Sequence, residues 1–268
     1  KKEKFIAEFN LQHRLHHPGV LAVYATGRAQ GPLGNKWNEQ IIFMEPAAGG
    51  DLLNRMQRPM SVSEARKYMA EMSDALAYVH SQSVAHKDIK FDNTLLTSDD
   101  HTKIADFGLA EYLPNHALST RFAGTPIYAD PEIFKGQPFD AFKADVFSLG
   151  VTFFSLLTGE VLWKKADNRS RCFQKWVYAQ KAVMKPSISS VFGGCYGDSI
   201  ALPSGMDGLI SSMLAVDPQK RPRMKEVHDW LKDSSSSLLQ ELDETSSRPL
   251  YNRSDLQRQE ATFNLLET

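Results

Sequence analysis

Cysteine is nearly absent: the chain has two, Cys172 and Cys195, in 268 residues, and no Cys-x-x-Cys pair. That excludes a disulfide scaffold and a cysteine-rich zinc module. It suits a reducing compartment, so the cytoplasm or nucleus is the expected location. A charge excess of either sign is lacking too. Lys and Arg number 31 against 32 Asp and Glu, a net charge of −1. The electrostatic case for a dedicated nucleic-acid partner is therefore missing. No run of about 18 apolar residues occurs, so no membrane span is expected. No self-similar period of about 20–50 residues argues for a solenoid. The chain opens Lys1-Lys2-Glu3-Lys4-Phe5 without an initiator Met or a signal-peptide pattern, and the expectation is that encoded sequence precedes it. The Asn-x-Ser sequons at Asn168 and Asn252 are read as chance matches, because nothing else points to secretion.

What is present reads as an ordinary globular protein, with 42% hydrophobic and 24% charged residues. At roughly 100–200 residues per domain it makes one large domain or two small ones, with core enough to need no staples. Phe5, Ile6, Phe9, Leu11 and Leu15 predict a helix over 3–15, closed by His17-Pro18-Gly19. Val20–Tyr24 and Gln40–Met44 predict two strands, joined by a loop holding Gly31-Pro32 and Gly34-Asn35. Ser61 and Glu64 form a capping-box pattern ahead of Tyr68, Met69, Met72, Leu76 and Val79 at helical spacing. Short apolar runs follow between Val84 and Ile104. From Val146 to Leu157 a helix apolar nearly all round predicts burial in a large helical lobe, ended by Gly159. The apolar pattern fades near Leu231, Ser234–Ser237 reads as a linker, and the rest is a polar tail. Strands early and helices late predict an α+β fold with segregated lobes.

Five short motifs carry the chemistry. They are His86-Lys87-Asp88-Ile89-Lys90-Phe91-Asp92-Asn93; Asp106-Phe107-Gly108; Gly124-Thr125-Pro126 through Asp130-Pro131-Glu132; Asp145-Val146-Phe147-Ser148-Leu149-Gly150; and Asp217-Pro218-Gln219-Lys220-Arg221-Pro222. Each alone is weak, but their order and spacing together are specific. With them the chain resembles the eukaryotic-type protein kinase family over about 3–231. The resemblance implies a two-lobed kinase-like fold: a partial small lobe over 1–50, a helical lobe over 51–232, and a tail over 233–268.

The resemblance also implies roles. Phosphoryl transfer is mostly positioning and charge neutralisation. Asp88 would accept the proton of a substrate hydroxyl, and Lys90 would stabilise the transferring γ-phosphoryl of ATP. Asn93 and Asp106 would supply hard oxygen ligands to Mg²⁺. Glu8 stands where the family's αC glutamate sits and would pair with a strand-three lysine. Met44 corresponds to the gatekeeper. Glu45 and Ala47 would meet adenine through backbone groups, and Asp51 the ribose. Glu132 and Arg221 would form a buried ion pair, and Asp145 would brace the catalytic loop. Lys90 with Gly124-Thr125-Pro126 resembles the Ser/Thr branch. A phosphate on Ser119 or Thr120 would order the activation segment against Lys87 and Arg121. Asp51 and Asp92 imply protein substrates with basic residues upstream of the target, although Ser155 stands where some such family members carry a further acid.

The sequence departs from the family at several points. It holds no Gly-x-Gly-x-x-Gly and no Val-Ala-x-Lys strand, and seven residues before Glu8 leave Lys1, Lys2 and Lys4 too near to serve as the strand-three lysine. Lys87 replaces the usual Arg and loses its planar fork. Gln12 takes an apolar spine position beside Phe107 and His86, where an unpartnered amide would cost about 1–3 kcal/mol. Asp130 replaces Ala and Phe147 replaces Trp. Two rivals stay open: a pseudokinase acting as a scaffold or allosteric binding module, and a small-molecule phosphotransferase. His13, His16 and His17 read as a polar helix terminus rather than a metal site.

Overall fold

The computed structural model describes residues 2–29, 39–58, 60–182, 186–196, 202 and 205–237. The expected Gly31–Asn35 loop and most of the expected tail lie outside them. Helix α1, Lys2–Gln12, is followed by the antiparallel pair β1, Val23–Ala29, and β2, Glu39–Met44, in register from Ala25 opposite Phe43 to Ala29 opposite Glu39. Strand β1 begins three residues later than expected. The backbone before it is engaged elsewhere: the Leu21 N–H donates to Ile104 O (2.9 Å), and the Ile104 N–H donates to Gly19 O (2.7 Å). Those groups cannot also serve a β1–β2 ladder.

Strand β3, Gly50–Asp51, leads into α2, Leu52–Met56, and then α3, Val62–Ser81. The capping box forms as expected: Ser61 Oγ accepts the Glu64 N–H (3.2 Å) and Glu64 Oε2 accepts the Ser61 N–H (2.9 Å). Next come β4, Val84–Ala85; β5, Thr94–Leu96; β6, Thr102–Ile104; and β7, Glu111–Tyr112. They form a three-stranded sheet in the order β3-β5-β6 and a two-stranded pair β4-β7.

Helix α4, Ala141–Thr158, is the centre of the helical part, capped by Asp140 and closed by Gly159 at φ 70°. It is long and apolar enough to cross a membrane, but 89% of that window is buried inside the protein, as in a core helix. After it come α5, Arg171–Ala182; α6, Ile188–Tyr196; α7, Met206–Met213; and α8, Met224–Ser237. A Cβ on Gly150 would stand 2.9 Å from Met213 Cβ, so α4 and α7 approach this closely only with glycine there. Helix α8 continues through Ser234–Ser237, where a linker was expected.

Buried Leu52, Met69, Met72, Leu76, Phe91, Phe107, Phe147, Phe153 and Phe154 belong to one apolar cluster joining α2, α3, the catalytic loop and α4. Through Phe91 and Phe107 the loops bearing the chemistry are thus anchored in this buried cluster.

Candidate active site

The segment from His86 to Asn93 runs between β4 and β5, and α4 holds its start. Asp145, fully buried on α4, accepts the backbone N–H groups of His86 and Lys87, both at 2.7 Å. Its Oδ2 also lies 2.9 Å from His80 Nε2. Through these contacts Asp145 can brace the loop. They act where bracing is needed: Lys87 adopts a left-handed φ of 70°, a conformation that costs about 1–3 kcal/mol outside glycine. His86 accepts the Asp88 N–H at Nδ1 (3.3 Å) and faces Ala105 O through Nε2 (3.0 Å). That pattern requires a neutral ring with its hydrogen on Nε2. Complete burial lowers the His86 pKa, against the pull of Asp145, Asp88 and Asp106.

Asp88 is the hub. Its Oδ1 accepts the N–H (3.1 Å) and O–H (2.8 Å) of Thr125. Its Oδ2 accepts from Asn93 Nδ2 (3.0 Å) and lies 3.4 Å from Lys90 Nζ. Lys90 Nζ donates to Thr125 Oγ1 (3.0 Å), closing the network. Asn93 Nδ2 also donates to Asp88 O (2.9 Å), so its Oδ1 is left as the acceptor end.

The β5–β6 hairpin brings in Asp106. Thr94 pairs with Ile104, and the Ala105 N–H donates to Asn93 O (2.8 Å), so Asn93 and Asp106 leave the same end of the hairpin. Asp106 is exposed, sits at φ 59°, and accepts the Gly108 N–H at Oδ1 (3.1 Å). Glu8 reaches the same place from α1. A Cβ on Gly108 would stand 3.0 Å from Asp106 Oδ1 and 3.3 Å from Glu8 Oε2, so any larger residue would crowd both carboxylates.

Along the β2–β3 connection, Met44 is 48% exposed. Glu45 does more than present its backbone. Its N–H donates to Ala22 O (2.9 Å), and its Oε1 accepts from the Ala22 N–H (2.7 Å) and lies 2.8 Å from Lys103 Nζ. Ala47 O accepts the Gly50 N–H (3.3 Å). Asp51 caps α2, accepting the Asn54 N–H (2.7 Å) and Nδ2 (2.8 Å), and pairs with Leu95 two residues beyond Asn93.

Three expectations change. Arg221 pairs not with Glu132 but with Asp130, whose side chain is 1% exposed. Asp130 caps the 3-10 turn Pro131–Lys135 from its inner side, while Glu132 points outward to Lys135 Nζ (3.3 Å). Ser119 is fully buried, so it is no accessible phosphate acceptor, whereas Thr120 is exposed. Lys87 meets Ser119 and the Arg121 backbone without any phosphate (3.0 and 2.7 Å). Gln12 is buried, but its Nε2 donates to Leu21 O (2.9 Å), so the amide has its partner.

Among the described residues no group of three or more His, Cys, Asp or Glu could hold a metal ion. Mg²⁺ asks for less: one or two protein oxygens with substrate phosphates and water. Asn93 Oδ1 and the exposed Asp106 carboxylate fit that demand. A separate groove of about 920 Å³ between α3, α4 and α8 includes none of Asp88, Lys90, Asn93 or Asp106 in its lining.

Sequence reasoning assigned no contact to Thr125, although the Gly-Thr-Pro motif marked it. It also passed over Asp130, which stood beside the residue chosen for Arg221, and Glu111, which no motif flagged.

The chain is 31% identical over 237 residues to "Probable serine/threonine-protein kinase MARK-A" of Dictyostelium discoideum, covering 87% of this chain and 20% of that protein. It is 29% identical to NUAK family SNF1-like kinase 2 of Homo sapiens, covering 84% of this chain and 32% of that one. It is 32% identical to 3-phosphoinositide-dependent protein kinase 1 of Arabidopsis thaliana, covering 78% of this chain and 40% of that one. The chain thus spans 20% to 40% of the length of these curated relatives. The protein kinase domain family matches residues 1–231, and with the Asp88 hub and the α+β two-lobed fold around it, the chain belongs to that family.

Proposed function

We propose that this protein is a serine/threonine kinase that transfers the γ-phosphoryl group of ATP to a Ser or Thr hydroxyl of a protein. The observation that carries the reading is the Asp88 carboxylate, held on both oxygens by Thr125 and Asn93 with Lys90 beside it. A substrate hydroxyl meeting Asp88 finds an acceptor already aimed. Lys90, 20% exposed, lends positive charge to the same spot. Bound Mg²⁺ would neutralise charge on the phosphates, and Asn93 Oδ1 and Asp106 are the residues that would hold it. Three relatives named as protein kinases support the reading.

The preferred substrates carry basic residues upstream of the target. Asp92 is exposed next to the hub, and its charge joins that of Asp88 in raising the pKa of buried Tyr128, where burial is the leading cause. Asp51 contributes less, because Asn54 already uses both of its oxygens. A reducing compartment, cytoplasm or nucleus, fits the two cysteines. The binding-module alternative loses one of its supports, because Gln12 is satisfied.

The test is transfer from radiolabelled ATP to a generic basic protein by the full-length protein, beside its Asp106→Asn and Asp88→Asn variants. Label in the wild type and a loss of at least about 100-fold in both variants is expected. Equal label in all three, or none in the wild type, overturns the reading.

A further inference from the structure

Lys87 Nζ has three hydrogens to donate, and all three are spent inside the protein. They go to Glu111 Oε2 (2.7 Å), Ser119 Oγ (3.0 Å) and Arg121 O (2.7 Å). The Ser119 hydroxyl donates to the same Glu111 oxygen (2.7 Å), and the Arg121 N–H donates to Ser119 Oγ (3.2 Å). Ser119 is tied by its backbone to Phe139 in both directions (2.9 and 3.0 Å), and Lys87 Nζ stands 5.8 Å from the centre of the Phe139 ring. Glu111 is fixed in turn by β7, where it pairs with Ala85 two residues before Lys87. The result is a closed ring of bonds between β7, the catalytic loop and the middle of the activation segment. The Lys87 side chain within it is 1% exposed.

From this ring we propose that Glu111 is a positioning residue for the kinase reaction: its carboxylate supplies, within the chain, the negative charge that holds the activation segment against the catalytic loop, so that no phosphate is needed there. The proposal rests on the kinase reading for its consequence and on geometry alone for its cause. Four residues beyond Arg121, Thr125 holds Asp88, so the ring governs how the hub is presented. Burial raises the Glu111 pKa, but hydrogen bonds from Lys87 and Ser119 and the nearby positive charge outweigh it. The net shift is downward, and the group is ionised at neutral pH. A phosphate on Thr120 would find no unspent Lys87 hydrogen.

The experiment uses the full-length protein, dephosphorylated with a broad phosphatase and verified by mass spectrometry. Hydrogen exchange is followed over residues 119–125, and kcat and KM for ATP are measured alongside. The dephosphorylated wild type should keep its segment protected and its kcat within about twofold of untreated protein, and Thr120→Ala should match it. Glu111→Gln, with an unchanged melting temperature, should exchange about tenfold faster in the segment, as expected for losing one charge-assisted bond. Its kcat should fall about tenfold, with little change in KM for ATP, and Glu111→Asp should recover part of both. Protection that appears only with phosphate, or a Glu111→Gln variant as protected as wild type, overturns the proposal. Should Glu111→Gln not fold, the phosphatase comparison on wild type decides alone. Should wild type transfer no phosphate, the kinase reading fails, while the exchange arm still judges Glu111.

Discussion

The guanidinium of Arg221 is neutralised by Asp130, and the glutamate two residues on faces the surface. Both members of the pair are buried, at 0% and 1% side-chain exposure. Arg221 also donates through Nε to Ala215 O (2.7 Å) and through Nη1 to Lys143 O (2.9 Å), and it lies 4.9 Å from the centre of the Phe147 ring. It therefore ties the end of the activation segment to the start of α4 and to the approach to α8.

Removing one partner of such a pair leaves an uncompensated buried charge. Asp130→Asn should lose about 3–5 kcal/mol in urea unfolding. Glu132→Gln removes one exposed contact and should lose less than about 1 kcal/mol. Equal losses would return the pairing to Glu132.

Thr125 spends its hydroxyl on Asp88 while accepting from Lys90. Thr125→Val keeps the shape and removes both bonds, so kcat should fall about tenfold to a hundredfold with KM for ATP little changed. Thr125→Ser should retain most of the rate. Steady-state kinetics on the two variants read the difference.

Gln12 is a buried polar residue whose amide has a partner in Leu21 O. Gln12→Leu gains apolar surface but leaves the Leu21 carbonyl without its donor. A net loss of about 1–2 kcal/mol is expected in chemical unfolding. A stabilised variant would mean that the bond contributes little.

Burial holds His86 neutral by lowering its pKa below the ordinary 6.5. The unfolded chain then binds the extra proton in the window from 6.5 down to the folded value. Stability from this group is complete above about pH 6.5 and declines as the pH falls through that window, by at most about 1.4 kcal/mol per pH unit. Urea midpoints between pH 8 and pH 5.5 should drop less steeply in His86→Gln than in wild type. Parallel slopes would show that His86 does not set the dependence.

The long helices were legible because their signals are short-range. Apolar residues of α3 and α4 recur every three to four positions, and Ser61, Glu64 and Gly159 mark the ends locally. Strands β3, β4 and β7, two residues each, carry no such pattern, since distant partners alone create them. The continuation of α8 through four serines ran against composition. The Asp88 and Asp106 motifs were recognisable from their order and spacing along the chain, which mark the family. Glu111 gave no signal, since its value lies in a lysine 24 positions away.

The sequence alone determined which residue types stand in the motifs, Asp88, Lys90, Asn93 and Asp106, in the order that marks the family. Only the tertiary structure decided which acid meets Arg221, which hydroxyl is out of reach, and where Gln12 finds its carbonyl. Those outcomes depend on burial and on pairing between distant segments, as between Asp130 and Arg221, 91 positions apart. A side chain's neighbours across such a gap are set by how the elements pack, not by the residues beside it in the chain.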